Sequence, residues 1–372
     1  MDFSAIDKMM EEAVDDGVFP AASLLVGKGD DAVFVGHYGD ATGGSVFDVA
    51  SLTKPVVTAT LAMHAVLEGR LALTDTVKKY IPDSGDVGEA PLFRLLDHSS
   101  GLPAYYPFYR EIPLADVGSR SARDEIVRSI ATWQLEYEIG SRSIYSDLGY
   151  ILFGDILEKV FDRPLNKLAE EKIFGPLEMK DSFFRPICKT PWSRSSFVPA
   201  YECERSFEGM NFIPTEDCPW RNDVVLGYVH DQNCYAMGGV AGHAGLFTNV
   251  YDLQKFVRTM FAVYDDKKRD YIPKGIAEVF MDGYASMLAF SHPGTHLIGW
   301  DRPRHLDSQA GSRFSRNSIG HLGYTGCSIW IDLEKRFFVI LLSNRIHPLV
   351  TNEKIKSFRP LLHDAIVDVL SD

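Results

Sequence analysis

Two pairs of apolar segments, one near each end of the chain, have the length and turn chemistry of β-hairpins. Residues 21–27 and 32–38 flank the polar turn 28–31, and residues 328–331 and 336–342 flank a second polar turn. Short apolar runs joined by a turn rich in Gly and Asp are typical of paired antiparallel strands. The pattern therefore predicts two hairpins that are far apart in sequence.

Helical periodicity appears outside these hairpins. Residues 359–370 show it near the C-terminus, and the N-terminal segment has one apolar face formed by Ile6, Met9, Met10, Ala13 and Val14. We therefore predict an α+β fold in which an antiparallel sheet is flanked by helices. Residues 1–75 and 236–372 would form this unit, residues 76–235 would be inserted as a mainly helical subdomain, and the active site would lie between the two.

The stretch 185–235 is rich in Pro, aromatic residues and Cys, and it shows no clean period. A loop of that length inside a compact chain is usually functional or has structure that the pattern does not reveal. Its aromatic side chains could line a substrate cleft or anchor the loop to the body of the protein, and the sequence leaves both readings open.

The segment Ser51-Leu52-Thr53-Lys54 stands at the start of an apolar helical stretch at residues 55–69. Positions i and i+3 share a helix face, so the hydroxyl of Ser51 and the amine of Lys54 point into the same space. A serine hydroxyl needs a neighbour that takes its proton before it becomes a nucleophile. Pro55 is compatible with the first helical turn, which places the helix start at or just before Ser51. Alone, the pattern also fits a serine that caps a core helix beside a solvated lysine.

Two later segments follow in the order in which further catalytic elements would be expected. Tyr145-Ser146-Asp147 precedes an apolar helical run, and His321-Leu322-Gly323-Tyr324 precedes a β-like stretch. With these motifs the chain resembles the serine β-lactamase and penicillin-binding-protein superfamily, on its class C β-lactamase and esterase side. Supporting matches lie at residues 95–103, 239–247 and 337–344, so the resemblance covers nearly the whole chain.

The resemblance implies a role for each motif residue. Ser51 would be the acylated nucleophile, Lys54 its immediate proton partner and Tyr145 the second member of the acid/base pair. The backbone amides of Ser51 and Tyr324 would form the oxyanion hole, the second of them on the strand residue after the glycine. Such donors are each typically worth ~3 to 4 kcal/mol in the transition state. Gly323 would let a substrate lie close to the strand edge.

Three positions, in two of the motifs, depart from the class C pattern. His321 and Leu322 stand where that pattern has Lys-Thr, and Asp147 stands where it has Asn. Leu322 cannot form a hydrogen bond, and a histidine is charged only part of the time near neutral pH. The clamp for a substrate carboxylate is therefore weakened, which argues against an efficient β-lactamase.

Asp147 also changes the protonation of the lysine. If its carboxylate lies ~4 Å from Lys54, an effective dielectric of ~20 gives an attraction of ~4 kcal/mol, or about three pK units in favour of the ammonium. Tyr145 would then be the base, and Lys54 its electrostatic partner and proton relay. The alternative is that Asp147 turns outward or caps the following helix.

The composition of the chain narrows the classes of molecule that it could bind. A net charge of −13 over 372 residues makes nucleic-acid binding unfavourable, and no apolar run approaches the ~20 residues of a membrane span. The N-terminus lacks the basic end and apolar centre of a signal peptide, so the sequence as given predicts a cytoplasmic protein. Five cysteines without a Cys-x-x-Cys motif suggest reduced thiols, and we expect no metal and no cofactor.

These observations predict a serine hydrolase that works through an acyl-enzyme on a small ester or amide, with compounds derived from the cell wall among the candidate substrates. A carboxylesterase or amidase with weak or no β-lactamase activity is favoured. The alternatives are a β-lactamase or D-Ala-peptidase proper, and a catalytically feeble relative that serves as a binding or scaffold protein. The acyl group, the leaving group and the oligomeric state do not follow from the sequence.

Overall fold

The computed structural model describes residues 1–193, 196–304 and 307–371. The α-helices are α1 (Ser4–Asp15), α2 (Thr60–Leu67), α3 (Phe93–Leu96), α4 (Arg120–Ala131), α5 (Asp147–Phe161), α6 (Leu165–Ala169), α7 (Gln232–Ala236), α8 (Val250–Tyr264), α9 (Lys274–Met281), α10 (Gly283–Ala289) and α11 (Ile355–Ser371). The strands are β1 (Ala21–Lys28), β2 (Asp31–Gly39), β3 (Ser45–Asp48), β4 (Phe183–Phe184), β5 (Asn211–Phe212), β6 (Asp217–Cys218), β7 (Asp223–Val224), β8 (Leu246–Thr248), β9 (Ser318–Leu322), β10 (Ser328–Asp332) and β11 (Phe337–Ser343).

Short 3₁₀ and π segments connect these elements. The 3₁₀ segments are Ala50–Leu52, Val77–Lys79, Asp86–Glu89, Phe108–Arg110 and Leu114–Asp116, and the π-helical segments are Lys54–Ala59 and Glu170–Phe174. A π-helical turn inside an α-helix is uncommon and often marks a functional position. The one at Lys54 continues directly into α2, so the helix that carries the Ser-x-x-Lys motif changes geometry along its length.

The main sheet joins the two ends of the chain. Its strand order is β2-β1-β11-β10-β9, and every neighbouring pair is antiparallel. The register places Leu25 opposite Ile340, so a strand from residues 21–28 pairs with one from residues 337–343. Both predicted hairpins are present as β1–β2 and β10–β11, and the predicted α+β fold is confirmed.

Alternation along β1 explains why helices cover both faces of this sheet. Leu24 and Val26 pack with residues of α1 and α11, such as Ile6 and Leu362, whereas Leu25 belongs to the larger core on the opposite face. Successive strand residues point to opposite faces, so a strand that is apolar throughout must be buried on both. Burying each such side chain contributes roughly 1.5–3 kcal/mol.

A smaller sheet lies beside the Ser-x-x-Lys segment. Its order is β4-β8-β3-β5, with β3 parallel to β5 and antiparallel to β8. Strands β5, β6 and β7 fall in the stretch 185–235, where the sequence showed no period. Each has only two residues, too few for an alternation to be visible. The division into residues 1–75 with 236–372 and residues 76–235 stays a proposal.

The same stretch contains a cysteine pair. The structure joins Cys188 and Cys203 in a disulfide, with Cα atoms 6.0 Å apart, and leaves Cys218, Cys234 and Cys327 free and buried. The Cα separation is within the usual range for a disulfide. The prediction of reduced thiols is therefore wrong for this pair, because the path of the chain brings together two cysteines whose spacing has no recognisable signature.

Candidate active site

The backbone around Ser51 is strained and held in place. Strand β3 ends at Asp48, and Ala50 follows with a φ of +47°, which a residue with a Cβ rarely adopts. The Asp48 carboxylate accepts a hydrogen bond from the Ala50 amide at 2.8 Å. The helix begins at Ala50, and its first turn is 3₁₀. This agrees with the predicted start at or just before Ser51. This sharp bend presents Ser51 at the start of the helix.

Lys54 is fully buried and its ammonium has three acceptors. Its Nζ donates to Ser51 Oγ at 3.0 Å, to Asp147 Oδ1 at 2.6 Å and to the His243 carbonyl at 3.2 Å. Burial on its own would lower the pKa of Lys54, but the negative charge of Asp147, with a further contribution from Tyr145, outweighs it and raises the pKa. Lys54 is therefore a cation at neutral pH, with its three N–H groups directed at oxygen atoms.

Asp147 is the first residue of α5, and its side chain points at Lys54. The salt bridge of 2.6 Å is shorter than the ~4 Å separation considered from the sequence. Asp147 thus neither turns outward nor caps the helix, and Ser146 at the cap position makes no side-chain capping bond. The positive charge of Lys54 is therefore balanced by the Asp147 carboxylate within the site.

Tyr145 lies beside this pair. Lys54 Nζ is 4.9 Å from the centre of its ring, and the rings of His98 and His321 lie 4.5 Å and 6.0 Å away. Burial raises the pKa of the Tyr145 phenol, and the Lys54 charge opposes that shift only in part. The phenol is therefore mainly protonated at neutral pH, and any phenolate that forms faces an ammonium.

Neutral histidines surround the tyrosine. Burial lowers the pKa of His321 to about 3, and burial likewise holds the pKa of His98 well below 6.5. His321 Nδ1 donates to the Leu322 carbonyl at 2.9 Å, so in the neutral ring Nε2 is an acceptor. His98 Nδ1 accepts a hydrogen bond from the Ser146 amide at 3.0 Å, which ties the second motif to residues 95–103.

Sequence reasoning missed several residues of this environment. His98 and His296 contact Tyr145 through their rings, at 4.5 Å and 6.1 Å, and were not singled out. The His243 carbonyl accepts a hydrogen bond from Lys54, and the His243 Nε2 pairs with Asp231 Oδ1 at 2.9 Å. His98 and His243 stand inside sequence stretches that carried the resemblance, and that position is the signal that could have found them.

Two backbone amides at the site find no acceptor among the residues that the structure describes. Neither the Ser51 nor the Tyr324 N–H donates a hydrogen bond within the described ranges 1–193, 196–304 and 307–371. The two segments are joined, since Thr325 Oγ1 donates to the Asp48 carbonyl at 2.8 Å. Tyr324 lies in the turn between β9 and β10. The expectation that it lies on a strand was therefore wrong. Unpaired amides beside a nucleophile can stabilise an oxyanion.

Gly323 allows the turn that carries Tyr324 to lie close to the segment before Ser51. A Cβ at this position would lie 2.4 Å from the Val49 carbonyl oxygen and 3.2 Å from the Cys327 Cβ. We expect Gly323→Ala to push the Tyr324 turn away from Ser51 and to slow acylation by roughly 10²-fold, the loss typical of one oxyanion donor. Stopped-flow acylation by an activated ester measures this. An unchanged rate with unchanged melting temperature would contradict the assigned geometry.

Over the described ranges, no cluster of three or more His, Cys, Asp or Glu side chains has an arrangement suited to a metal ion. The helices described there include none with the length and apolar character needed to cross a bilayer.

Comparison with known proteins places the chain in a family. The β-lactamase family model matches residues 6–359. An N-acetylmuramyl-L-alanine amidase of Bacillus subtilis is 28% identical, over 94% of this chain and 82% of that protein. A putative D-alanyl-D-alanine carboxypeptidase of Escherichia coli is 29% identical, over 93% and 83% respectively. A class C β-lactamase structure superposes with a TM-score of 0.70 at 16% identity, covering 98% of this chain and 96% of that one. The chain belongs to the β-lactamase family.

Proposed function

We propose that the protein is a serine hydrolase that forms an acyl-enzyme at Ser51 from an ester or amide. The observation that carries the proposal is the contact of 3.0 Å between Ser51 Oγ and the buried Lys54 ammonium, with the Tyr145 ring beside that ammonium. A scaffold protein would have no need for a buried lysine that points at a serine beside two unpaired amides. The names of the amidase and carboxypeptidase relatives agree with hydrolysis of an amide or peptide bond.

The proposed reaction follows from these positions. Ser51 Oγ attacks the substrate carbonyl, and its proton passes to a base as the new C–O bond forms. The amides of Ser51 and Tyr324 hold the negative oxygen of the tetrahedral intermediate. Collapse of the intermediate breaks the bond to the leaving group, which departs as an alcohol or amine after it takes the proton. Water then repeats the sequence on the acyl-enzyme and releases the acid.

Tyr145 is proposed as the base. Lys54 cannot accept a proton while it is an ammonium, and its salt bridge of 2.6 Å with Asp147 keeps it one. A phenolate at Tyr145 would face that ammonium and the serine. Lys54 then stabilises the phenolate, holds Ser51 Oγ and relays the proton. Asp147 tunes the pair by fixing the charge of Lys54.

The third motif governs the substrate class. His321 is buried and neutral, and its Nε2 is an acceptor, so it cannot hold a carboxylate. Leu322 offers no polar atom. We therefore favour esters and amides that have no carboxylate next to the scissile bond, among them muramyl-type amides, over β-lactams and D-Ala-D-Ala peptides. A neutral acceptor could receive a hydrogen bond from a substrate N–H or O–H group.

A substrate panel tests this preference. We expect kcat/KM to be at least ~10-fold higher for short activated esters, and for a muramyl-L-alanine amide whose alanine carboxyl is blocked, than for nitrocefin, benzylpenicillin and a D-Ala-D-Ala peptide. The reason is that a missing charge-assisted hydrogen bond to the substrate carboxylate costs about 1.5–3 kcal/mol. Because the pKa of His321 is about 3, it stays neutral at pH 5, and lowering the pH from 8 to 5 should not improve KM for the anionic substrates.

Two other outcomes would change the assignment. A kcat/KM for nitrocefin or the D-Ala-D-Ala peptide equal to that of the best ester or amide would favour a β-lactamase or D-Ala-peptidase, and another group would have to hold the carboxylate. Absence of turnover and of covalent labelling with every substrate would favour a feeble family member with a binding role.

A further inference from the structure

The turn that carries the Tyr324 amide is held by an arginine from a distant part of the chain. Arg345 is buried at 6% exposure, and its Nε donates to the Tyr324 carbonyl at 3.0 Å. Its Nη1 donates to the Val350 carbonyl at 3.2 Å and also to the Asn352 carbonyl. Arg345 follows β11, the strand that pairs with β10 beyond the turn. One planar side chain thus ties the turn to the segment 350–352.

The two peptide planes that meet at Tyr324 are both fixed. The Gly323 carbonyl, which shares a plane with the Tyr324 N–H, accepts from the Gly326 amide at 3.0 Å. The Tyr324 carbonyl belongs to the next plane, and Arg345 holds it. Since only the φ and ψ angles of Tyr324 join these planes, the arginine bond limits the direction in which the amide can point.

The side chain of Tyr324 is held as well. The Arg345 guanidinium lies 4.8 Å from the ring centre, and the His230 ring is stacked on it at 5.6 Å with an interplanar angle of 19°. His230 in turn pairs with Glu216 at 3.2 Å. Tyr324 is 53% exposed at the site, yet it has defined partners for its ring and for its backbone.

We infer that Arg345 is a positioning residue for the oxyanion hole: it orients the Tyr324 amide toward the oxygen that becomes negative on attack by Ser51. This inference rests on the proposed acyl-enzyme function. Arg345 need not touch the substrate, because its Nε is engaged by the Tyr324 carbonyl and its Nη1 by Val350 and Asn352. A donor that is turned well away from the oxyanion loses most of its value in the transition state, because a hydrogen bond weakens steeply once its angle falls below about 120°.

The competing explanation is purely structural, since Arg345 also anchors residues 350–352. Asn352→Ala is a matched control, because Asn352 Nδ2 ties the same segment to the carbonyls of Gly17 and Val18 at 3.1 Å and 3.2 Å without contacting Tyr324. Arg345→Gln removes the charge and the fork of donors. Arg345→Lys keeps the charge but replaces the planar fork with a flexible ammonium, whose three N–H donors all lie on one nitrogen atom.

The experiment compares acylation by an oxoester and by the matching thionoester in single turnovers. Sulfur accepts hydrogen bonds weakly, so the oxo-to-thiono rate ratio reports on oxyanion contacts. We expect Arg345→Gln to slow oxoester acylation by ~10-fold or more, with KM little changed, and to lower the ratio by a similar factor. Arg345→Lys should recover part of the oxoester acylation rate and part of the rate ratio. Asn352→Ala should lower the melting temperature, while its rate ratio stays at the wild-type value.

A wild-type ratio in both folded arginine variants would overturn the inference, and so would an equal fall in the ratio in Asn352→Ala. If Arg345→Gln does not fold, the lysine variant carries the test. Failure of the proposed function is distinguishable, because in that case the wild-type protein itself would not be acylated at Ser51, and the inference would fall with it.

Discussion

Ser51→Ala is expected to reduce turnover of esters and amides by about 10⁴-fold or more, the loss seen when the nucleophile of a serine hydrolase is removed. Without the hydroxyl no acyl-enzyme can form, and only the oxyanion donors and binding contacts remain. Folding should be retained, because Lys54 keeps its bonds to Asp147 and to the His243 carbonyl. Steady-state kinetics with the best substrate and a thermal melt measure both quantities.

Ser141→Ala provides a control for this prediction. Ser141 is exposed and lies four residues before Tyr145, and its hydroxyl donates to the Glu138 carbonyl. This variant should keep wild-type turnover. If Ser51→Ala, with an unchanged melting temperature, also kept wild-type turnover, Ser51 would not be the nucleophile.

Tyr145→Phe is expected to slow acylation by at least ~100-fold if Tyr145 is the general base. The variant keeps the ring contacts with His98 and His321 and removes only the hydroxyl. Single-turnover acylation isolates the step from deacylation. A rate within a few-fold of wild type would mean that another group takes the serine proton.

The rate of acylation is expected to depend on pH. Because the pKa of the Tyr145 phenol is raised by burial, the basic phenolate is scarce at neutral pH and becomes more abundant as the pH rises. Acylation should therefore accelerate into the alkaline range. In Asp147→Asn the partner at 2.6 Å from the Lys54 ammonium loses its negative charge, and the pKa of Lys54 falls. The alkaline acceleration should therefore move to lower pH, because neutral lysine begins to act as a base.

A double-mutant cycle between positions 145 and 147 separates these roles. If Asp147 tunes the pair through Lys54, the effects of Tyr145→Phe and Asp147→Asn on acylation should be non-additive. Strict additivity, together with an unchanged pH profile in Asp147→Asn, would mean that the salt bridge has no part in setting the base.

The parts of the fold that were predictable have a local signal in the sequence. Hairpins β1–β2 and β10–β11 consist of apolar runs around polar turns, and the spacing of Ser51 and Lys54 puts both on one helical face. The two-residue strands β5, β6 and β7 have no such signal, because an alternation needs more residues than they contain.

The rest of the site depends on tertiary packing. The sequence could not show that His321 is neutral, since its low pKa results from burial. His98 lies 47 residues from Tyr145 and His296 lies 151 residues away, as the sequence numbering shows, and only the folded chain puts their rings against it. Arg345 was missed for the same reason, because its contact is with a backbone carbonyl, and a carbonyl is present at every position in a sequence.

The central claim is that a substrate acylates Ser51, and mass spectrometry tests it most directly. The protein would be mixed with a slowly deacylating ester, quenched in acid, weighed intact and digested for peptide mapping. We predict a single adduct with the mass of the acyl group, located on the peptide that contains Ser51 and missing in Ser51→Ala. An adduct on a different residue, or turnover of the ester without any trapped adduct at Ser51 under single-turnover quench, would contradict the account.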